Sequence, residues 1–230
     1  MKVLFLTGAG ISANAGIATY RDGGSSWVDS DLEKKSHASR YGNHLDELWD
    51  KHWGPVSKTM QEAEPTVAHK AITAFQDKHD AIVATQNIDG LHERAGNDNV
   101  MNLHGTMTAK CMKCKGKEIH PWSGVGYGAP RCITCGSRKT RPDVVLFGEN
   151  LNKKAFNAIE HWANSEADYV IAVGTSLNVF PAAGLVMDNA RKSIIINKQD
   201  TPFDKLVMEV FHDDADIVLP VVLSDLTHRV

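Results

Sequence analysis

The sequence predicts an α/β fold, a doubly wound, Rossmann-like parallel sheet that carries a smaller lobe. Two observations lead to this fold class: short apolar runs alternate with longer helical patterns, and the first run ends in a glycine-rich turn. That first run, residues 3–6, is followed at once by Gly8-Ala9-Gly10, which is typical of a buried parallel strand entering a tight turn.

The rest of the chain continues the alternation. We predict further strands at residues 81–84, 144–147, 169–173, 193–196 and 216–219. We predict helices at residues 66–79, 88–95, 153–164, 182–191 and 203–211. Strands that alternate with helices favour a parallel sheet with helices on both faces.

Two stretches interrupt the alternation. Residues 22–64 are polar but include Trp27, Trp49 and Trp53, and residues 109–141 hold all the cysteines. We expect the two stretches to pack together as the smaller lobe; the alternative is that 22–64 forms a mobile lid without a lobe of its own. We treat residues 1–230 as a single domain with three parts. The Rossmann-like lobe comprises 1–21, 80–108 and 142–230. The helical insertion comprises 22–79, and the cysteine-bearing module comprises 109–141.

The composition describes a soluble globular chain. Hydrophobic residues make up 42% and charged residues 23% of its 230 residues. The 25 basic and 28 acidic side chains give a net charge of −3, and no basic run stands out, so we expect no nucleic-acid partner. No apolar stretch approaches the roughly 20 residues that span a bilayer. The apolar run near the N-terminus, residues 3–6, is also shorter than the roughly 7–15 apolar residues of a secretory signal. We expect no membrane partner and a cytoplasmic location.

The four cysteines form two C-x2-C pairs separated by 17 residues: Cys111, Cys114, Cys132 and Cys135. Two such pairs at this spacing are typical of a tetrahedral four-thiolate zinc site. Two disulfides would be the alternative in a secreted chain, but the spacing and the expected compartment favour structural zinc.

The glycine-rich turn runs Gly8-Ala9-Gly10-Ile11-Ser12. Glycines let the backbone approach a phosphate closely, and a following helix N-terminus adds donors, so the turn indicates a nucleotide pyrophosphate site. A plain structural turn is the alternative. The pattern differs from the dehydrogenase fingerprint, because Ala13 stands where a third glycine would be and no second strand with a ribose-binding acid follows. Hydride transfer is therefore disfavoured.

Polar residues follow several other predicted strands. Gln86, Asn87 and Asp89 could fix a carboxamide, a ribose or a water, or Asn87 or Asp89 could merely cap the next helix. The turn 174–176 suits phosphate or ribose hydroxyls. His104 ends an apolar run and is followed by a glycine, which makes it a candidate general base near neutral pH.

The segment 141–149, Arg-Pro-Asp-Val-Val-Leu-Phe-Gly-Glu, combines an arginine and a proline with an extended apolar run. It could be an edge strand that pairs with a peptide, or simply another core strand.

Taken together, these motifs resemble the sirtuins, NAD-dependent protein deacylases, over about residues 3–219. The resemblance rests on the following motifs: Gly-Ala-Gly-Ile-Ser with Gly16-Ile17 and Arg21, Thr-Gln-Asn-Ile-Asp at 85–89, Leu-His-Gly at 103–105, both C-x2-C pairs, the 141–149 segment, Gly-Thr-Ser-Leu at 174–177 with Pro181, and Asn197. Six such motifs and the single residue Asn197, all in the right order, argue against a chance match.

The resemblance implies that NAD is a co-substrate and lies across the carboxyl edge of the sheet. The implied NAD-binding residues are Gly8, Ala9, Gly10, Ile11, Ser12, Ala18, Tyr20, Arg21, Trp27, Gln86, Asn87, Ile88, Asp89, Gly174, Thr175, Ser176, Asn197 and Ala215. Within this set, 8–10 and 174–176 would hold the pyrophosphate, Asp89 the nicotinamide carboxamide, and Asn197 the adenosine ribose.

The resemblance also implies the reaction and its substrate. An acetylated protein or peptide would bind as a strand against Val145, Leu146, Phe147, Gly148 and Val179. His104 would act as the general base, Asn87 would place a water or a ribose hydroxyl, and the products would be deacylated lysine, nicotinamide and O-acyl-ADP-ribose. The zinc would be structural, since four thiolates leave no position for an activated water.

The chain departs from the family pattern at Ala18, where the family has proline, and at Tyr20, where it has phenylalanine. Relatives that prefer succinyl or malonyl groups carry a Tyr-x-x-Arg pair in the helical insertion. The comparable stretch here, 48–53, contains no such pair. Lys51 or His52 could still offer a positive charge. We therefore expect acetyl-lysine to be preferred. Two alternative functions are an NAD hydrolase or ADP-ribosyltransferase on the same scaffold, and a non-catalytic NAD-sensing or zinc-ribbon module.

Overall fold

The computed structural model describes residues 1–18, 34–114, 120–121 and 129–228. The strands found in these residues are β1 (Lys2–Thr7), β2 (Asp80–Thr85), β3 (Val100–Asn102), β4 (Gly105–Cys111), β5 (His120–Pro121), β6 (Thr140–Val144), β7 (Tyr169–Val173), β8 (Ser193–Ile196) and β9 (Glu209–Phe211). The α-helices are α1 (Leu45–Leu48), α2 (Gly54–Glu62), α3 (Val67–Gln76), α4 (Leu91–Arg94), α5 (Lys153–Ser165), α6 (Gly184–Met187) and α7 (Ala215–His228). A π-helical turn, Trp49–Trp53, joins α1 to α2, and a short 3-10 helix, Ala9–Ala15, follows β1.

Six strands form one sheet in the order β3-β2-β1-β7-β8-β9, and every pairing in it is parallel. The chain first builds β2 and β3 on one side of β1 and later places β7 on the other side. The strand order therefore reverses between β1 and β7. In open α/β sheets such a switch point opens a crevice at the carboxyl ends of the strands.

Helices cover both faces of this sheet, as the alternation predicts. On β1, Val3 and Phe5 pack on one face with α3 and α7, whereas Leu4 and Leu6 pack on the other face with α5 and α6. Successive strand residues point to opposite faces, so a strand covered on both sides must be apolar throughout. The doubly wound architecture expected from the sequence is confirmed.

The two insertions pack on each other wherever the structure describes them. β4, β5 and β6 form a small antiparallel sheet in the order β5-β4-β6. The residues that form the core between this sheet and the helical insertion are Tyr41, Leu48, Trp49, Trp53, Ala109, Ala129, Val144 and Leu146. The Trp49 indole N–H donates a 2.9 Å hydrogen bond to the Thr140 carbonyl oxygen and so joins the two parts. The two insertions therefore share one core, as expected for a smaller lobe, and its insertion residues run from Tyr41 to Trp53.

Two elements near the C-terminus differ from expectation. Residues 216–219, predicted to be a strand, lie in α7, because the apolar spacing continues through Leu219, Val222 and Leu226 at helical intervals and these side chains are buried. Residues 203–211, predicted to be a helix, form turns that end in β9. β9 takes the outermost place in the sheet beside β8.

Three further boundaries shift. The predicted strand 144–147 contributes only Val144 to β6. The predicted helix 88–95 contains the four-residue α4, and 182–191 contains the four-residue α6 and the start of a 3-10 helix, Ala190–Lys192. Helix α3, placed in the helical insertion by the boundary at residue 79, packs through Ala68, Ile72 and Phe75 in the core of the parallel sheet. None of the helices in the described residues has the length and apolar character needed to cross a bilayer.

Candidate active site

A cavity of about 820 Å³ opens at the carboxyl edge of the parallel sheet, within the size range of small-molecule sites. The loops that follow β1, β2, β7 and β8 form its floor, and residues of the small lobe also line it. Every described residue that the family resemblance assigns to NAD or to the peptide lines this cavity, with two exceptions, Ile11 and Ser12. Tyr20, Arg21 and Trp27 lie outside the described residues.

The glycine turn after β1 packs directly on the turn after β7. The Gly8 N–H donates to the Val173 carbonyl oxygen at 3.0 Å, and the Gly10 N–H donates to the Gly174 carbonyl oxygen at 2.8 Å. A Cβ on Gly8 would come 2.7 Å from the Gly174 carbonyl oxygen, so this turn needs glycine for close approach between backbones. The helix that follows is a seven-residue 3-10 helix rather than an α-helix.

Ile11 and Ser12 sit behind the cavity wall rather than on it. Ile11 is buried in the sheet core beside Val3 and Phe5. Ser12 is also fully buried, and its hydroxyl donates a 2.7 Å hydrogen bond to the Asp89 carboxylate. Both residues therefore support the neighbours that line the cavity.

The turn after β2 connects the loops of the floor. The Gln86 side-chain amide donates to the Thr175 hydroxyl at 3.1 Å, and the Asn87 amide donates to the Gly8 carbonyl oxygen, also at 3.1 Å. The second oxygen of Asp89 accepts the Leu91 N–H at 2.9 Å, at the start of α4. Asp89 thus lines the cavity, where it could fix a ligand. It also accepts an N–H at the start of α4, which is the helix-capping role given as the alternative.

His104 faces the cavity from the connection between β3 and β4. Its Nδ1 lies 2.9 Å from the Gln86 carbonyl oxygen, which can only accept, so Nδ1 carries the proton and Nε2 keeps its lone pair. Burial lowers the pKa of His104, and the hydrogen bond to Gln86 opposes this effect in part. Burial therefore favours the neutral imidazole, and the hydrogen bond to Gln86 fixes the tautomer in which Nε2 is the basic nitrogen.

The remaining walls come from the segment after β6, from the loops after β7 and β8, and from the helical insertion. Val145, Leu146, Phe147 and Gly148 line the cavity, and so does Val179 from the loop after β7. At the far end Asn197 follows β8 and Ala215 begins α7. Several lining residues were not predicted from the sequence to contact a ligand, including Ile17, Ser36, Trp53 and Met60. The tryptophan-rich composition of the insertion signalled packing there but not which side chains reach the cavity.

The four cysteine sulfurs lie within 4.8 Å of one another. The Cys111 and Cys135 Sγ atoms are 3.7 Å apart, and so are those of Cys114 and Cys132. A disulfide would require about 2.05 Å, whereas a tetrahedral zinc with Zn–S bonds of about 2.3 Å requires sulfurs about 3.8 Å apart. The residues present therefore fit a closed four-thiolate zinc site.

The fold and site together define a nucleotide-binding enzyme with a structural metal site. The defining features are an open parallel sheet with a lined crevice at its switch point, a histidine in that crevice whose neutral form is favoured, and a four-thiolate module. The Sir2 family model matches residues 8–181, which is most of the chain. The chain belongs to the Sir2 family, the sirtuins.

Curated relatives agree over nearly the whole length. An NAD-dependent protein deacylase of Ralstonia nicotianae is 35% identical over 97% of this chain and 91% of its own length. An NAD-dependent protein deacetylase of Staphylococcus epidermidis is 33% identical over 97% of this chain and 92% of its own.

Among solved structures, a Sir2 homologue in complex with NAD superposes with a TM-score of 0.87 at 30% identity, over 99% of this chain and 90% of that one. A complex of Sir2 with a p53 peptide and NAD gives a TM-score of 0.78 at 28% identity, over 99% of this chain and 94% of that one.

Proposed function

We propose that this chain is an NAD-dependent protein lysine deacetylase, which transfers the acetyl group of acetyl-lysine to ADP-ribose with release of nicotinamide. The observation that carries the proposal is His104, a neutral imidazole with a fixed tautomer in the cavity at the sheet's switch point. Family membership and the NAD-dependent deacylases and deacetylases among its relatives support the same reaction.

The floor of the cavity offers the groups that NAD needs. We assign the pyrophosphate to the backbones of 8–10 and 174–176, where packed glycines leave little side-chain bulk. Asn197 and Ala215 would hold the adenosine, and Ile88 and Asp89 the nicotinamide carboxamide. NAD supplies the leaving group, nicotinamide, and the ribose that accepts the acyl group.

His104 acts as the general base on a ribose hydroxyl. Its Nε2 is the only basic ring nitrogen, since Nδ1 donates to the Gln86 carbonyl oxygen. Asn87 is tied to the Gly8 carbonyl oxygen and to the Ser12 hydroxyl, each at 3.1 Å, which leaves its own carbonyl oxygen to orient a water or a ribose hydroxyl. Small-lobe residues such as Trp53 and Met60 line the cavity, and we expect them to limit access of bulk water when the substrates are bound. This matters because any nucleophile can trap a reactive ribosyl centre.

The protein substrate enters beside the segment 145–148, opposite Val179. The wall there presents Val145, Leu146 and Phe147, so a neutral acyl-lysine chain meets apolar surface. An acetylated protein or peptide bound mainly through its backbone is the partner we propose. We also place the protein in the cytoplasm, because a reducing compartment keeps the four zinc-binding thiols available.

Product analysis tests the proposal. Purified protein is incubated with NAD, with and without an acetyl-lysine peptide, and the nucleotide products are identified by mass spectrometry. We expect O-acetyl-ADP-ribose and nicotinamide to form only when the acetylated peptide is present. Free ADP-ribose formed without peptide would indicate an NAD hydrolase instead, and no turnover in either case would indicate a non-catalytic module.

A further inference from the structure

The segment 145–148 lines the cavity but lies outside any strand ladder of the small sheet. A few hydrogen bonds give it shape. The Val145 N–H donates to the His104 carbonyl oxygen at 2.8 Å, and the Phe147 carbonyl oxygen accepts the Ala38 N–H at 2.9 Å. The Leu146 N–H donates to the Glu149 carboxylate at 2.9 Å. The side chain of Glu149 is therefore part of the scaffold of this segment.

Glu149 is in turn held by Arg141, eight residues earlier in β6. The Arg141 guanidinium donates from both terminal nitrogens to the two Glu149 oxygens, each at 2.7 Å, in the bidentate geometry that makes such pairs strong. One of these nitrogens also donates to the Val144 carbonyl oxygen at 2.6 Å. The pair therefore connects Val144, just before the segment, and Glu149, just after it, with Leu146 inside it.

The environment of the pair makes it costly to break. Arg141 is 8% exposed, and its guanidinium carbon lies 5.9 Å from the centre of the Tyr41 ring in the small-lobe core. The Arg141 guanidinium holds the pKa of Glu149 at about 2, so the carboxylate stays charged across the whole working pH range. Among the described residues, Glu149 is the carboxylate paired with Arg141, so its loss would leave a buried guanidinium without that partner.

We propose that Arg141 and Glu149 form a clasp that fixes the cavity-facing shape of residues 145–148 and so sets the affinity for the acyl-lysine peptide. This role rests on the proposed function, since it assigns that segment to the protein substrate. Glu149 also lines the cavity, but its two oxygens bind Arg141 and the Leu146 N–H, so we treat both residues as positioning residues for 145–148. The NAD-facing loops after β1, β7 and β8 contain no member of the clasp, so NAD affinity stays the same.

Two single variants test the clasp. E149Q keeps the size of the side chain but removes its charge, and R141K keeps the charge but loses the fork that reaches Val144 and both carboxylate oxygens. For each we expect KM for an acetyl-lysine peptide to rise about tenfold or more, while KM for NAD stays within about twofold. Anisotropy of a fluorescein-labelled acetyl-lysine peptide gives its Kd independently of turnover, and we expect the same rise there.

The matched control is D143N, which removes the carboxylate of the Lys110–Asp143 ion pair on the same small sheet. The Asp143 and Glu149 side chains are 33% and 32% exposed, so the two variants disturb similar environments. D143N should leave both KM values unchanged. Should E149Q fail to fold, the double variant R141M/E149M, which leaves no charge unpaired, replaces it with the same expectation.

The outcomes separate the clasp from the proposed function. Wild-type protein without NAD-dependent deacetylation would contradict the proposed function, and the peptide Kd values would still test the clasp. Unchanged peptide KM and Kd in folded E149Q and R141K would overturn the clasp. An equal rise in KM for NAD and for peptide, or the same rise in D143N, would also overturn it, because either result would show a general structural role.

Discussion

The backbones of Gly10 and Gly174 pack so closely that a Cβ on Gly10 would lie 2.6 Å from the Gly174 Cα. The Gly10 N–H also donates to the Gly174 carbonyl oxygen at 2.8 Å. This contact joins the loops that follow β1 and β7, the neighbouring strands at which the sheet order reverses. The spacing of the cavity floor is therefore set by two residues without side chains.

We expect Gly10→Ala to weaken NAD binding, because the added methyl would push the two loops apart. KM for NAD should rise about tenfold or more, and stability should fall by about 1–3 kcal/mol, the usual cost of overpacking. Gly42→Ala is the control, since a Cβ there would meet only the Met112 terminal methyl at 3.9 Å. Steady-state kinetics and urea unfolding measure both effects, and wild-type KM for NAD in Gly10→Ala would contradict the assigned role.

The second prediction concerns His104. His104→Ala should keep the fold and NAD binding but lose deacetylation by about 10²-fold or more, the typical contribution of a general base. Nicotinamide exchange should survive better than net deacetylation, because His104 acts after nicotinamide has left. His161→Ala, on the exposed side of α5, should behave as wild type. Equal loss of exchange and deacetylation would contradict the assignment.

The third prediction is one zinc ion per chain. Elemental analysis of purified protein should find one zinc ion per chain. Cys132→Ser should lower the zinc content, the stability and the activity together, because folding and metal binding of such a module are one process. Cys132 is a useful choice because it is buried, so its loss cannot be compensated by solvent. Active, zinc-free protein with four free thiols would refute the site.

The fourth prediction is a preference for acetyl over succinyl groups. The structure argues against two candidate partners for an extra carboxylate. Lys51 pairs with Glu47 at 3.1 Å, and its side chain is 67% exposed. Burial lowers the pKa of His52 to about 4, so His52 is neutral at pH 7. The insertion instead presents Trp53 and Met60 to the cavity. An unpaired buried carboxylate costs several kcal/mol, so kcat/KM should be at least about tenfold higher for the acetyl peptide.

The comparison uses one peptide that carries acetyl or succinyl on the same lysine, so that every other contact is matched. Equal or better turnover of the succinyl peptide would show that a cationic group reaches the acyl chain, and the apolar interpretation of this wall would be wrong.

The fifth prediction concerns acid stability. His52 is 1% exposed, and its folded-state pKa of about 4 lies below the ordinary value of 6.5. The unfolded chain therefore binds a proton at His52 more tightly than the folded chain does. The contribution of neutral His52 to the free energy of unfolding is complete above pH 6.5 and is lost as the pH falls towards 4. At pH 5 the loss from this residue should be about 2 kcal/mol.

Urea unfolding at pH 7.5 and pH 5 measures this difference. In His52→Phe the drop between the two pH values should shrink by that amount, whereas His228→Phe, at an exposed position, should leave it unchanged. An identical drop in wild type and His52→Phe would contradict the prediction.

Local patterns predicted the parts of the fold that depend on nearby residues. The apolar run before Gly8 gave β1 and its turn, and the two C-x2-C pairs gave a cluster that the structure brings together. The helical spacing of α7 was missed because only four of its residues, 216–219, were considered as a strand.

Features that depend on tertiary contacts could not be predicted from local sequence. The Gly10–Gly174 contact joins residues 164 positions apart, and nothing near Ser12 in sequence indicates that its hydroxyl meets Asp89. The cavity position of Trp53 likewise depends on how the insertion packs against β6, which the sequence of the insertion does not specify.

Both insertions leave the parallel sheet just after a strand ends and rejoin it where the next crossover helix begins. The first lies between β1 and α3, and the second between β3 and α5. Neither interrupts a strand, so changes in their length or sequence need not disturb the register of the sheet. The lobe to which we assign the protein substrate can therefore vary by mutation, or be exchanged for that of another sirtuin, without a change in the strands that carry the cofactor edge.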